Sequence, residues 1–304
     1  MLVDLAILAV SIAFLVKFSD TVIINAEKLA KISGIDQAAI GFIFIAVSTS
    51  LPELTIGAIS SLKGEGILSV GNVMGANIAN LTLVFGAMAL FGFKLGKTDS
   101  RQINYAVLST SFVALIMIMA GSISMMFGLF CLSLFYIFSE GFMRQGIRIA
   151  KSGGYRSAQA LKSAAYLVSS IFVVVISAHF VTNSIISLAG SLSVPESLLG
   201  ATILSMGTTL PELSISVSAM RKGNMALAMG NVVGSVVTNL TFIVGVVAVM
   251  GHVTLTGTET AIAAMLIGFN ALFLFMTHFI HFRMREGMVL FLCYGVFLFA
   301  MAMI

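Results

Sequence analysis

The chain has 304 residues, of which 59% are hydrophobic and 9% charged, and its formal net charge is +4. A soluble domain carries about 25% charged residues, so the composition excludes a soluble domain, and the positive balance calls for a topological explanation rather than a nucleic-acid partner. Apolar runs of about 20 residues recur from end to end, the length a transmembrane helix needs, and the alternating ~10-residue segments of an outer-membrane barrel do not occur.

Taken in chain order, the N-terminal stretch MLVDLAILAV holds Asp4, no early Lys or Arg and no Ala-x-Ala-type cleavage site, so it reads as a first membrane helix rather than a removed signal. Clusters of charges, glycines and turn residues then divide the chain into ten predicted spans: 3–24, 38–62, 67–92, 102–120, 123–143, 161–187, 197–220, 225–250, 258–281 and 287–303. This count puts Lys28, Lys31, Lys94, Lys97, Arg101, Arg144, Arg148, Lys151, Arg156, Lys162, Arg221, Lys222, Arg283 and Arg285 on one side, and only Lys63 on the other. One missed or invented span would scramble that asymmetry. By the positive-inside rule the basic loops are cytoplasmic and both termini extracellular, in a multi-pass protein of the cell membrane. Cys131 and Cys293 stand singly inside apolar runs and read as packing residues, with no disulfide or metal spacing.

A shift of 159 residues lays Gly41–Gly86 on Gly200–Gly245 without a gap, with eighteen of 46 positions identical. The expected fold is therefore an all-α polytopic membrane protein of two five-helix repeats. Residues 1–143 form the first repeat, 144–160 a basic, glycine-containing cytoplasmic linker, and 161–304 the second repeat. An odd number of spans per repeat turns the second upside down, an architecture of secondary transporters with sites at the membrane midplane. The linker is too short to hold a regulatory domain.

Two of the three prolines, Pro52 and Pro211, fall at equivalent positions of the repeats, each followed by a glutamate. A proline removes one helix hydrogen bond and disfavours the α conformation one residue earlier. The carbonyls of Ser48 and Gly207 are thus expected to lose their backbone partners. For a lone proline, a kink satisfied by nearby hydroxyls is an equal reading; the duplicated Pro-Glu pair shifts the balance toward an ion site. Ionisable groups at membrane depth cost about 2.5–3.5 kcal/mol on insertion scales and face a partner or an internal cavity. No Lys or Arg accompanies Glu53 or Glu212 at similar depth, which leaves a cation or protons as the compensating charge. Ala46, Thr49, Ser50 and Glu53 share a helix face, as do Ser205, Thr208, Thr209 and Glu212. Hard oxygen donors of this kind suit Ca2+ and Na+. In the following spans, Asn72, Ala76 and Asn80 form a stripe at i, i+4, i+8, matched by Asn231, Ser235 and Asn239. Taken alone, such stripes read as interhelical hydrogen bonds; joined by symmetry to the Pro-Glu helices, they read as further donors or as the shell orienting them. The pairs Gly71/Gly75 and Gly230/Gly234 allow close helix approach.

With Ser-Thr-Ser-Leu-Pro-Glu at 48–53, Gly-Thr-Thr-Leu-Pro-Glu at 207–212 and two Gly-Asn-x-x-Gly motifs, the chain resembles the Ca2+/cation antiporter superfamily, which includes the Na+/Ca2+ and H+/Ca2+ exchangers. The resemblance extends over essentially the whole length, and its motifs are highly specific. It implies that Glu53 and Glu212 are the central Ca2+ ligands, with backbone carbonyls around Thr49 and Thr208, and that Ser50, Thr209, Asn80, Asn239 and Ser235 line the same cavity. It also implies that spans 3–24 and 161–187 slide across a fixed core. Two positions depart from the archaeal Na+/Ca2+ exchangers: Asn239 stands where aspartate is usual, and Ala76 where serine is usual. Two carboxylates match one Ca2+ or two protons, because burial favours the neutral form of a carboxyl, and the site is then neutral in both loaded states. Ca2+/H+ antiport is accordingly the expected function, Na+/Ca2+ exchange through the same site the alternative, and a Ca2+ channel the remote one. Beyond the transported ions and the bilayer, no cofactor and no obligate protein partner is expected.

Other residues invite a role. His179, the repeat equivalent of Asp20, reads first as a packing or interfacial group and second as a proton relay. His278 and His281 read as interfacial, and Lys17, Asp20 and Glu27 as a water-facing rim. The nineteen methionines read as adaptable filler. An intramembrane protease is disfavoured, since there is no His-Glu-x-x-His and no span with two aspartates.

Overall fold

The structure is a computed structural model that describes residues 2–149, 157–191, 202, 204–277 and 281–303. It is built from helices α1 (Leu2–Ser33), α2 (Gln37–Thr49), α3 (Leu51–Leu62), α4 (Gly66–Ala89), α5 (Lys97–Ala120), α6 (Met125–Ile149), α7 (Ser157–Ser191), α8 (Leu204–Thr208), α9 (Leu210–Arg221), α10 (Met225–Met250), α11 (Gly257–Thr277) and α12 (Met284–Met303). Eight of these are long and apolar enough to cross a membrane, and α2 with α3, bent by 42° at their junction, makes a ninth candidate. The expected seventh span, 197–220, lies partly outside the described residues; its second part is present as α8 and α9. Residues 150–156 of the linker and His278 also fall outside them.

Several helices outrun their apolar runs. The first was expected to stop at Ile24 but continues to Ser33, through Glu27 and Lys28. Charge ends the membrane-compatible stretch; it does not end the backbone ladder. The stop comes at Gly34, whose φ of 69° suits a left-handed C-terminal cap and whose N–H donates to the Ala30 carbonyl at 2.8 Å.

Helices α4 and α10, which carry the Gly-Asn-x-x-Gly motifs, are the centre of the molecule. In their most apolar windows 78% and 83% of residues are buried, against 17–39% in the other six spans. The small residues explain how a second helix reaches them. A Cβ added at Gly230 would stand 2.2 Å from the Ala38 carbonyl oxygen, and one at Gly234 2.5 Å from the Ala46 Cβ, so α2 crosses α10 at backbone contact. On the periphery, α1 and α7 pack on each other more extensively than any other helix pair among the described residues.

The halves meet reciprocally. Strands β1 (Phe93–Lys94) and β2 (Ser122–Ile123) of the first half pair antiparallel with β4 (His281–Phe282) and β3 (Val253–Thr254) of the second. Gly86 abuts Gly287, and Gly245 abuts Gly128, the same contact with the halves exchanged. Asn77 Nδ2 donates to the carbonyl of Val236 at 2.9 Å and Asn270 Nδ2 to Ser111 Oγ at 2.8 Å; each bond joins residues 159 apart. None of these devices was expected from hydropathy, since they depend on which backbone segments end up adjacent.

A methyl group at Gly230 has no room, because its nearest neighbour is backbone. Gly230→Ala is expected to cost about 1–3 kcal/mol through overpacking. Gly251→Ala, where a Cβ meets nothing within 4 Å, should leave stability unchanged; thermal unfolding of the two purified variants in detergent compares them.

Candidate ion site

The break between α2 and α3 is built by Ser50, whose φ and ψ of −81° and 7° depart from the helical values, and by Pro52 in the first turn of α3. Thr209 repeats the geometry between α8 and α9, at −83° and −6°, followed by Pro211. The two junctions share their hydrogen bonds as well: Ser50 N–H to Ala46 O at 3.0 Å and Leu54 N–H to Ser50 O at 3.0 Å, then Thr209 N–H to Ser205 O at 3.2 Å and Leu213 N–H to Thr209 O at 3.0 Å. One expectation is corrected here. The Ser48 carbonyl, which Pro52 deprives of its usual donor, is not left open; it accepts a backbone N–H at the C-terminal cap of α2. The tight turn at Ser50 brings that N–H within reach.

Each break places its glutamate in the first turn of the helix that follows, where the helix dipole favours negative charge. Glu53 and Glu212 are 1% and 0% exposed and within electrostatic reach of one another. Each faces the threonine of the opposite half, Glu53 with Thr208 and Glu212 with Thr49. Ser235 Oγ donates to Glu212 Oε1 at 3.3 Å, and Oε2 of both carboxyls is buried without a partner.

The hydroxyls divide into two kinds. Thr49 donates to Ala46 O at 3.1 Å, Thr208 to Ser205 O at 3.2 Å and Thr209 to Ser205 O at 2.7 Å. Their hydrogens are occupied by backbone, which leaves oxygen lone pairs free to accept a cation. Ser50 Oγ has no partner at all, nor do the amide atoms of Asn72, Asn80 and Asn239, all buried. Burying so many unsatisfied polar groups costs about 1–3 kcal/mol each, and natural structures keep such groups few. Asn80 and Asn239 open the π-helical turns Asn80–Val84 and Thr238–Ile243, a local widening frequent at functional sites. Among the described residues no three His, Cys, Asp or Glu gather to hold a metal; the donors that do gather are two carboxyls and neutral oxygens, types that suit a hard cation better than a soft one.

The halves are not equal. Asn231 Nδ2 donates to the Glu212 carbonyl at 3.2 Å and to Ser216 Oγ at 2.9 Å, tying α9 to α10. Asn72, its equivalent, makes neither bond, and Gly57 stands where the second half has the Ser216 hydroxyl. Ser216 was missed in the sequence, as was Thr238, whose buried hydroxyl beside Asn239 has no partner. The only signal for either was a break in repeat identity, Gly57 against Ser216 and Ala79 against Thr238.

Among the described residues, two cavities of unequal size flank the broken helices. A cavity of about 890 Å³ runs from Lys63 and Glu65 past His179 and Pro52 to Gly207 and Thr208. Its counterpart on the Arg221 side, about 370 Å³, is lined by Asp20, Leu213, Ser214 and Ser218 and touches none of the expected donors. His179 lies in the larger cavity within 2.9 Å of Asn183 Nδ2; His281 sits apart in β4, and Cys131 and Cys293 are buried free thiols.

Residues 3–143 and 162–303 match the family described as sodium/calcium exchanger protein. The inner membrane protein YrbG of Escherichia coli is 27% identical over 267 residues, covering 82% of this chain and 81% of its own. The sodium/calcium exchanger MaX1 of Methanosarcina acetivorans is 28% identical over 291 residues, covering 80% and 82%, and the putative antiporter CaxA of Alkalimonas amylolytica 26% over 257 residues, covering 81% and 80%. In fold the chain is similar to the sodium-calcium exchanger NCX_Mj soaked with 2.5 mM Na+ and 0.1 mM Ca2+, with a TM-score of 0.85 at 23% identity over 97% of each chain.

The unequal asparagines separate positioning from packing. Asn231→Leu loses two buried hydrogen bonds and is expected to destabilise by about 1–3 kcal/mol, whereas Asn72→Leu, which breaks none and removes an unpartnered buried amide, should unfold at or above the parent temperature; thermal unfolding in ion-free detergent compares them.

Proposed function

We propose, for a chain that belongs to the sodium/calcium exchanger protein family and is a cation/Ca2+ antiporter of the membrane rather than an enzyme, that the cation exchanged for Ca2+ is the proton. The observation that carries this reading is the charge of the donor set. Glu53 and Glu212 face one another in burial, and the remaining oxygens around them are neutral. One Ca2+ or two protons neutralise that pair, while several Na+ at once would call for more negative charge and more donors than Asn239 and Ala76 supply.

In this reading Glu53 and Glu212 hold either the Ca2+ or the protons. Thr49, Thr208, Ser50, Thr209, Asn80, Asn239 and Ser235 offer further oxygens, with Asn72 and Asn231 beside them. The Pro52 and Pro211 breaks orient both sets. Residues 1–143 and 161–304 act as inverted repeats around the linker 144–160, with ten spans, extracellular termini and cytoplasmic basic loops. The reciprocal strand pairs, the exchanged glycine contacts and the two bonds between residues 159 apart support that two-fold relation, since only residues near such an axis touch their own equivalents. With this sidedness the larger cavity opens outward. Moving a bare carboxylate pair through the membrane interior is costly, so α1 and α7 slide only when the site is neutralised.

Na+ coupling is the second reading, favoured by the description of MaX1 and NCX_Mj as sodium/calcium exchangers. A channel would pass Ca2+ down its gradient with no counter-flux.

Ca2+ uptake into proteoliposomes at clamped membrane potential decides among them. Proton coupling predicts uptake driven by a pH gradient alone. Uptake that requires a Na+ gradient overturns it, and uptake indifferent to both would mean a channel. Glu53→Gln is expected to reduce uptake to that of empty liposomes with the protein still folded, and Asn239→Asp to add Na+ dependence.

A further inference from the structure

Beside the smaller cavity, side chains outside the ion site bridge α1 to α9 and the start of α10. Along one face of α1, Ser19 Oγ and Ser214 Oγ share a hydrogen bond at 2.7 Å. One residue on, Asp20 Oδ1 accepts from Ser218 Oγ at 2.5 Å and lies 3.7 Å from Lys222 Nζ. Two turns further, Glu27 Oε1 accepts from Asn224 Nδ2 at 3.0 Å, and Asn224 Oδ1 in turn caps α10 through the Leu227 N–H at 3.2 Å. From Ser19 to Glu27 these contacts span about 12 Å of helix, and they join α1, an element expected to slide, to α9 and the start of α10.

The repeat gives the opposite gate the same backbone positions and different chemistry. Shifted by 159 residues, Ser19, Asp20 and Glu27 become Ala178, His179 and Ile186 on α7, while Ser214, Ser218, Lys222 and Asn224 become Thr55, Ile59, Lys63 and Glu65. If α7 closed on α3 as α1 closes on α9, Ala178 would meet Thr55, His179 would meet Ile59 and Lys63, and Ile186 would meet Glu65. The serine pair and the two carboxylate acceptors have no equivalent there. In the structure Ile59, Lys63, Glu65 and His179 line the larger cavity.

We propose that Ser19, Asp20 and Glu27, with Ser214, Ser218, Lys222 and Asn224, are a one-sided latch that makes outward-open the resting state of the exchanger and sets unequal Ca2+ affinities on the two faces. The latch rests on the alternating-access reading above. A closed state stabilised on one side only shifts the two-state equilibrium by the free energy of its extra contacts, and a ligand entering from the other side must work against that bias.

The test reads gate opening directly. Val217→Cys marks the inner cavity and Thr55→Cys the outer one, in a background with Cys131→Ala and Cys293→Ala. Right-side-out and inside-out membrane vesicles are labelled with a membrane-impermeant maleimide in the absence of Ca2+. Asp20→Ala combined with Glu27→Ala, which removes both acceptors, is expected to raise labelling of the inner cysteine on the order of 10-fold and to lower labelling of the outer one, as a shift between two states requires. The converse variant, His179→Asp with Ile59→Ser, builds a rung on the outer gate and should slow outer labelling. Unchanged labelling in both variants while Ca2+ exchange persists overturns the latch and leaves antiport standing. Shifted labelling in a protein that moves no Ca2+ against a gradient sustains the latch and overturns antiport instead.

Discussion

Two carboxyl groups buried side by side at the depth of a membrane are the constraint around which this protein is organised. Glu53 and Glu212 lose their hydration and face each other, so the pair tolerates a full double charge only when a cation shares the site. The rest of the centre answers that demand. Broken helices bring helix N-termini toward the carboxylates, threonines spend their hydrogens on backbone and turn lone pairs inward, and asparagines at two π-turns hold amides with no other partner. Glycines in α10 let α2 come to backbone contact, which closes the protein around the site with no large side chain intervening.

A duplicated half provides the pair economically but does not keep the copies equal. The contacts where the halves meet remain reciprocal, as the exchanged glycine pairs show. Away from it the copies diverge. Ser216 against Gly57 makes Asn231 a tether and leaves Asn72 unbonded; Ser235 against Ala76 gives Glu212 a hydroxyl donor at a position where the first half has none. The second half thus carries the more firmly held carboxylate and the first half the looser one.

The same divergence reaches the gates. Polar rungs between α1 and α9 accompany a small cavity cut off from the donors, and their absence between α7 and α3 accompanies a large one that reaches Thr208. Packing, hydrogen bonding and access therefore describe one state of a molecule whose site is central and whose entrance is lateral to it.

Composition and periodicity alone determined that the chain is helical and membrane-embedded, that it is duplicated, and that Glu53 and Glu212 are its costly residues. Each of those follows from a local cost: apolar runs of membrane length, a glutamate with no compensating charge nearby, a proline that removes a helix hydrogen bond. Their spacing also grouped Thr49, Ser50, Asn80 and their equivalents, because helical period decides which side chains share a face. Only the tertiary structure decided what those faces meet. That Glu53 looks at Thr208 and Glu212 at Thr49, that Ser216 captures Asn231, and that Asp20 and Glu27 meet Ser218 and Asn224 are relations between segments up to 200 residues apart, and nothing in a linear pattern records which distant backbone will lie alongside.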